Sequence, residues 1–212
     1  MSLAEIQSEV ERLAAVIDAP EMYTPVFDQR PKYLRPRIEE AADGTLSWVA
    51  QELGRELERR STRDVDELLY WTFGGITRAM AGAWEREHRV TGLPTGMVLV
   101  GKQLSLLASL KAQWSERAHA EIVETMRKYP HKGTYSREEL AEAVGSCQTY
   151  GGTDLPAEQS MVAHIEQSMA DQLPLTTSEF AFVSRGLAMG RLASRGVPPT
   201  EAKAVALYIP FV

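Results

Sequence analysis

The spacing of apolar residues along the chain changes from a helical to a strand-like period and back again. Near the N-terminus, Ile6, Val10 and Leu13 recur at intervals of three or four residues, which is typical of an amphipathic helix. Ser2 and Glu5 have the spacing of a capping box at its start. Helical spacing recurs along the chain, and it predicts helices over residues 2–18, 64–89, 95–110, 113–129, 136–146, 156–172 and 176–194.

A strand-like pattern occupies the interval between the first two helices. Four prolines fall within residues 20–36, which we expect to be extended loop. Residues 35–40 and 45–52 flank an Asp43-Gly44 turn signal and predict a β-hairpin, and residues 55–60 predict a third strand. The pattern therefore predicts an α+β fold, in which a small antiparallel sheet of two or three strands packs on a mainly helical body.

Prolines and glycines also mark where the chain divides. The sequence Pro130-His131-Lys132-Gly133 is the best candidate boundary, and it separates a domain at 1–132 from a helical C-terminal subdomain at 133–212. After Gly196, residues 200–212 form a short tail with an apolar end, which we expect to dock on the body.

The helix at 64–89 carries two patterns that predict how it packs. Small residues at Gly75, Ala79 and Gly82 predict a groove in which a neighbouring element approaches closely. Large apolar residues at helical spacing predict a face turned to the core, namely Leu69, Phe73, Ile76, Met80 and Trp84.

Composition narrows the class of protein. The chain has 212 residues, of which 44% are apolar and 25% charged, as in an ordinary globular protein. It has no apolar run of membrane-spanning length and no signal-peptide pattern at its N-terminus, so we expect a cytoplasmic protein without a membrane partner. The single cysteine, Cys147, excludes an internal disulfide bond and a cysteine-based zinc site.

The charge pattern favours a protein partner over a nucleic acid. The formal net charge is −6 and the pI is about 5.4, whereas phosphate binding requires clustered Lys and Arg. Residues 138–184 hold eight carboxylates and no Lys or Arg. A surface of one sign steers an oppositely charged protein and accelerates its association.

Two E-x-x-H spacings indicate an alternative, enzymatic function. Glu85 with His88, and Glu116 with His119, resemble the ligand pairs of di-metal carboxylate sites in helical bundles. The helix at 95–110 holds no carboxylate to complete such a site, and charged residues flank both pairs. A solvated face with surface histidines is the favoured interpretation, and we expect no cofactor and no metal.

Other candidates for catalysis have weaker support. Cys147 is a potential nucleophile with His131 or His164 as base, but no flanking signature accompanies it. The glycine pairs at 74–75, 151–152 and 186/190 do not follow a strand and open a helix, as a phosphate-binding loop requires.

Two stretches resemble a known family. ELERRSTRDVDELLYW at 56–71 and KQLSLLASLKAQWSERAHAEI at 102–122 are similar to immunity protein family 63 of bacterial polymorphic toxin systems. The resemblance extends over about residues 3–130 and has no recognised counterpart after Gly133. It implies an α+β protein that binds and neutralises a cognate toxin without catalysis, and it supplies no map of functional residues.

We therefore predict an immunity protein that contacts its toxin directly through acidic surfaces on the hairpin and the C-terminal helices. A di-metal enzyme and a helical adaptor or regulator are the alternatives, and a homo-oligomer remains open. The predicted partner-binding residues are Glu39, Glu40, Asp43, Glu52, Asp154, Glu158, Glu166 and Asp171.

Overall fold

The computed structural model describes residues 1–27, 35–52, 55–93, 95–126, 135–151, 155–173 and 175–209. The strands in these ranges are β1 (Val26–Phe27), β2 (Arg37–Glu40), β3 (Leu46–Glu52) and β4 (Arg55–Thr62). The helices are α1 (Leu3–Val16), α2 (Val65–Glu87), α3 (Thr95–Leu110), α4 (Ala112–Met126), α5 (Arg137–Ser146), α6 (Leu155–Ala170), α7 (Thr177–Ser194) and α8 (Pro199–Leu207). The α+β class is confirmed.

The sheet has the strand order β1-β2-β3-β4. The predicted hairpin is the antiparallel pair β2 and β3, and the predicted third strand is β4, antiparallel to β3. The expectation of two or three antiparallel strands is wrong in one respect, because β1 pairs parallel to β2 and makes a four-stranded mixed sheet. Two residues are too few to show a hydrophobic pattern, so the sequence gives no sign of β1.

Side-chain caps fix where three helices begin. At α1, α5 and α7, the side chain of the N-cap residue accepts a hydrogen bond from the backbone of a glutamate three residues later. That glutamate accepts one from the N-cap backbone in return, which satisfies two amide donors that helix geometry leaves open. The cap residues are Ser2, Ser136 and Thr176.

The chain divides into two compact units. The first comprises Met1–Ala81 and Leu106–Ser115, and the second Gly82–Ser105 and Glu116–Val212. In the first unit, one face of the sheet contributes Ile38 and Leu46 to a buried cluster. Ile6 from α1 and Leu68 from α2 complete this cluster, so the helices on either side of the sheet in sequence cover the same face.

The second unit has a core made from segments that lie far apart in sequence. Val90 and Leu93 belong to the same buried cluster as Leu187 of α7 and Val205 of α8. Ile209, just beyond α8, is fully buried in this cluster, so the described part of the C-terminal tail docks as predicted. The tail is more ordered than expected, because Pro199 fits the first turn of a helix and begins α8.

Two expectations for α2 have different outcomes. The core face is confirmed, since Leu69, Phe73 and Ile76 are buried. The small-residue groove is wrong at Gly75, which is exposed and where an added Cβ would meet no atom within 4 Å among the described residues. Close approach occurs instead at Gly186 of α7, where a Cβ would lie 2.6 Å from the backbone oxygen of Ala143.

Two further expectations concern the boundary and the membrane. The predicted boundary at 130–133 lies outside the described residues. None of the helices in the described ranges has the length and apolar content needed to span a bilayer.

Candidate functional site

A network of charged side chains covers the sheet face that points away from Ile38. Arg37 and Arg59 lie directly opposite Val49 on its two neighbouring strands. Glu39 bonds both arginines, at 2.9 Å to Arg37, and Glu56 bonds Arg59 at 2.9 Å. Val49, which lies between Arg37 and Arg59 on this face, is fully buried.

The ion pairs in this network change the charge that the face presents. The hydrogen bonds from Arg59 lower the pKa of Glu56, and the two glutamates raise the pKa of Arg59. Glu39, a predicted partner-binding residue, therefore has its charge balanced within the sheet. Water and salt screen exposed pairs of this kind, so the network orients side chains more than it stabilises the fold.

The turn between β2 and β3 holds a second predicted residue in a fixed position. The Asp43 carboxylate accepts hydrogen bonds from the Thr45 hydroxyl and backbone amide, both at 3.0 Å, and from Arg63 at 2.9 Å. These bonds, those from Thr45 first, lower the pKa of Asp43 to about 2. The carboxylate stays ionised in mild acid, but Arg63 offsets its charge.

The sheet face that carries Ile38 also holds a cluster of two tryptophans and one arginine, which we did not predict from the sequence. The Arg60 guanidinium lies 5.8 Å from the ring centre of Trp48 and 5.9 Å from that of Trp71. Glu58 bonds Arg60 at 2.6 Å. Both indoles are half-buried, and Arg and Trp are enriched in the central residues of protein interfaces. The feature that could have indicated this cluster is the pairing of Arg60 on β4 with Trp48 on β3.

Two predicted acidic residues of the hairpin are open to solvent. Glu40 and Glu52, at the ends of β2 and β3, are exposed, and neither makes an ion pair with another described residue. Glu39 and Glu40 are consecutive on β2 and therefore point to opposite faces of the sheet, while Asp43 and Glu52 lie at the two ends of the hairpin.

The predicted acidic residues of the second unit are described only in part. Asp154 and the side chain of Glu158 lie outside the described residues. Glu166 on α6 is exposed, and Asp171 follows that helix and accepts a hydrogen bond from Gln167 at 2.7 Å. Glu166 also lines a pocket of about 600 Å³, together with Arg137, Leu140, Val144, Val162 and Met169.

The residues of the proposed metal site have unequal environments. Glu85 is only 2% exposed and bonds Arg89 at 3.1 Å, so the expectation of a solvated face is wrong at this residue. Glu116 is exposed, and the His88 ring stacks on Trp84 with centroids 4.4 Å apart. Among the described residues there is no group of three or more His, Cys, Asp or Glu side chains placed to hold a metal ion.

Cys147 lies in the core of the second unit, 9% exposed, and begins a short π-helical turn, Cys147–Gly151. It lines an apolar pocket of about 360 Å³ with Phe182, Arg185 and Lys203 among its other walls. His164 is exposed on α6 and His131 lies outside the described residues.

Comparison with known proteins gives a match to one family. Residues 42–124 match the family model described as Immunity protein 63. The matched segment contains β3, β4, α2, α3 and most of α4, including Trp48, Arg60 and Trp71. No curated protein and no solved structure matches the chain. The resemblance that the sequence indicates is thus confirmed over residues 42–124, the segment that matches the family of immunity protein 63.

Proposed function

We propose that this chain is an immunity protein that binds and neutralises a cognate toxin domain of a bacterial polymorphic toxin system. The match of residues 42–124 to the Immunity protein 63 family carries the proposal. Immunity of this kind is stoichiometric binding and needs no catalytic group. The proposal places the protein in the bacterial cytoplasm, where a toxin that acts on its own producer must be stopped.

The matched segment contains side chains suited to a protein interface. The half-buried indoles of Trp48 and Trp71 form a cluster with Arg60 of the exposed strand β4. Tryptophan side chains bury a large area at a low cost in conformational entropy, and arginine forms directed hydrogen bonds and stacks on aromatic rings, so both supply much of the affinity in known interfaces. This cluster supports a contact of the toxin with the sheet.

We propose that the acidic residues steer the toxin towards this chain and hold it there. The proposal divides recognition between the immunity-type region at 1–132 and the helical extension at 133–212. We rank the contribution of each carboxylate to toxin recognition by its exposure and its ion pairs. Exposed carboxylates without an arginine partner attract a basic toxin more strongly than those balanced within the sheet. Glu40, Glu52, Glu166 and Asp171 therefore rank above Glu39 and Asp43.

The test is co-expression with the C-terminal toxin domain encoded by the neighbouring upstream gene. We expect that domain to arrest growth of a bacterial host when expressed alone, and this protein to restore growth in a dose-dependent manner. Purification through a tag on the toxin domain should recover the two chains in a fixed stoichiometry. A toxin domain from an unrelated gene cluster is the control, and it should not be neutralised.

Two results would overturn the proposal. The first is a neighbouring domain that is harmless on its own, and the second is a toxic domain whose effect this protein does not change. Restoration of growth without a physical complex would instead indicate an indirect, regulatory function, which belongs to the adaptor class.

A further inference from the structure

β4 is an edge strand with unusual exposure. It is eight residues long, lies at one end of the strand order and has no strand on its outer side among the described residues. All of its residues except Thr62 are exposed. An edge of this length presents a row of backbone donors and acceptors that can pair with another strand.

The register shows which backbone groups of β4 point outwards. The Ala41 amide donates to the Thr45 carbonyl, which makes this a hydrogen-bonded pair of the hairpin. Because hydrogen-bonded and non-bonded pairs alternate in antiparallel ladders, Ser47 pairs its backbone with β2, and Trp48 with Arg60 on β4. The backbone amides and carbonyls of Arg59 and Ser61 therefore face the open side.

Side-chain charges then select one register for a second strand. In an antiparallel pair with two-fold symmetry about Arg59, the outward backbone groups of the two Arg59 residues bond each other. Glu58 of each copy lies opposite Arg60 of the other, on the same face of the joined sheet. Shifting the pairing so that Arg59 faces Ser61 would place Arg60 opposite Arg60, with like charges in contact.

The other charges in this register are already balanced. Each Arg59 bonds Glu56 and Glu39 of its own chain, which reduces the repulsion between the two Arg59 side chains. Glu58 bonds Arg60 within its own strand. When two copies join, Glu58 and Arg60 of each copy form a group of four charges whose signs alternate. This group lies beside the indoles of Trp48 and Trp71.

We propose that β4 is a self-association surface, through which two copies of this chain pair edge to edge about Arg59. The bulge at Leu57, where Gln51 pairs with Glu56 and Ala50 with Glu58, ends the regular pairing on one side. The bulge and the charges together exclude pairing with strands that lack a complementary charge pattern. The pattern of Glu58 and Arg60 fits that of a second copy. The proposal does not rest on the proposed function, although Arg60 belongs both to this surface and to the cluster that supports a toxin contact.

Sedimentation velocity and light scattering on the full chain test this proposal. At tens of micromolar protein we expect a mass of twice 23.6 kDa in low salt, and a shift towards the single-chain mass in high salt. Glu58→Arg and Arg60→Glu, each made alone, place like charges across the two-fold axis. Each should weaken dimerisation by roughly tenfold or more.

Mixing the two single variants gives the decisive result. In the mixed pair, the two cationic positions of one copy face the two anionic positions of the other, so we expect a heterodimer that is tighter than the dimer of either variant alone. Glu11→Arg on the exposed surface of α1 is the control and should dimerise like the unmodified chain. Circular dichroism checks that each variant is folded.

Three outcomes would overturn the proposal. One is a chain that stays monomeric at every concentration tested, and another is a dimer that both single variants leave unchanged. The third is a mixture of the two variants that remains monomeric, because loss of association would then come from a general effect of each substitution on the strand.

Discussion

Glu85 is a carboxylate buried near the end of α2. Its carboxylate is 2% exposed and its cation partner, Arg89, lies one helical turn later with a side chain that is 59% exposed. A charge that is removed from water needs a compensating partner, whereas an exposed guanidinium is hydrated in any case. The pair therefore stabilises the fold mainly by compensating Glu85.

We expect Arg89→Ala to lower the free energy of unfolding by about 1–3 kcal/mol, because it leaves a buried carboxylate without its cation. Arg86→Ala, also in the last part of α2 and exposed, is the matched control and should change it by less than about 0.5 kcal/mol. Urea unfolding measures both values.

A double-mutant cycle separates the charge from the shape of the side chain. Glu85→Gln removes the buried charge, so adding Arg89→Ala to it should cost less than adding Arg89→Ala to the unmodified chain. If Arg89→Ala costs no more than Arg86→Ala, the ion pair does not stabilise the buried carboxylate.

At the scale of elements, the contact between α5 and α7 depends on a glycine. A Cβ at Gly186 would lie 2.6 Å from the Ala143 carbonyl oxygen and 2.8 Å from its Cβ. Both atoms belong to the rigid part of α5, so the helices would have to separate. The Arg191 guanidinium, one turn further along α7, bonds Glu142 at 2.7 Å and holds the same two helices together.

Two Gly-to-Ala substitutions in helices should therefore have opposite effects on stability. We expect Gly186→Ala to lower the free energy of unfolding by about 1–3 kcal/mol through overpacking. Gly75→Ala should raise it by about 0.5–1 kcal/mol, because Ala is the better helix former and the site is open. Thermal and urea unfolding measure the sign of each change in stability. If both substitutions destabilise the protein, the prediction of a packing groove on α2 would be restored.

Elements with a strong local pattern were predictable from the sequence, and the others were not. The three capping boxes and the Asp43-Gly44 turn place the starts of α1, α5 and α7 and the β2–β3 turn within a residue or two. β1 and α8 were missed because two residues carry no period and because Pro198-Pro199 suggested a loop. Burial of Glu85 depends on tertiary contacts that helical spacing does not encode.

At the scale of the whole molecule, the distribution of charge matters more than its total. The chain has a net charge of −6, yet Glu39 and Asp43 of the hairpin are balanced by Arg59 and Arg63. Residues 138–184 contain no Lys or Arg, so any ion pairs of their carboxylates must use basic residues from other parts of the sequence. Under the proposed function, this region should contribute more to steering than the hairpin.

We expect simultaneous reversal of Glu158, Glu166 and Asp171 to Arg to slow toxin association by roughly tenfold at low salt and to flatten its salt dependence. The control reverses Glu11, Glu87 and Glu116, which are exposed on α1, α2 and α4, and changes the net charge equally. Stopped-flow or biosensor kinetics measure the association rates. Equal slowing in both variants would mean that only the net charge acts, and unchanged rates would place the contact elsewhere.

The core of the second unit has a consequence for how the chain is made. Arg191 bonds the carbonyl of Thr91, a hundred residues earlier, and Lys102 bonds Glu201 across a similar interval. During synthesis, Val90 and its neighbours leave the ribosome long before α7 and α8 exist to cover them. The nascent chain therefore passes through a stage in which this apolar surface is not yet covered, and the core of the second unit closes only after α7 and α8 have been made.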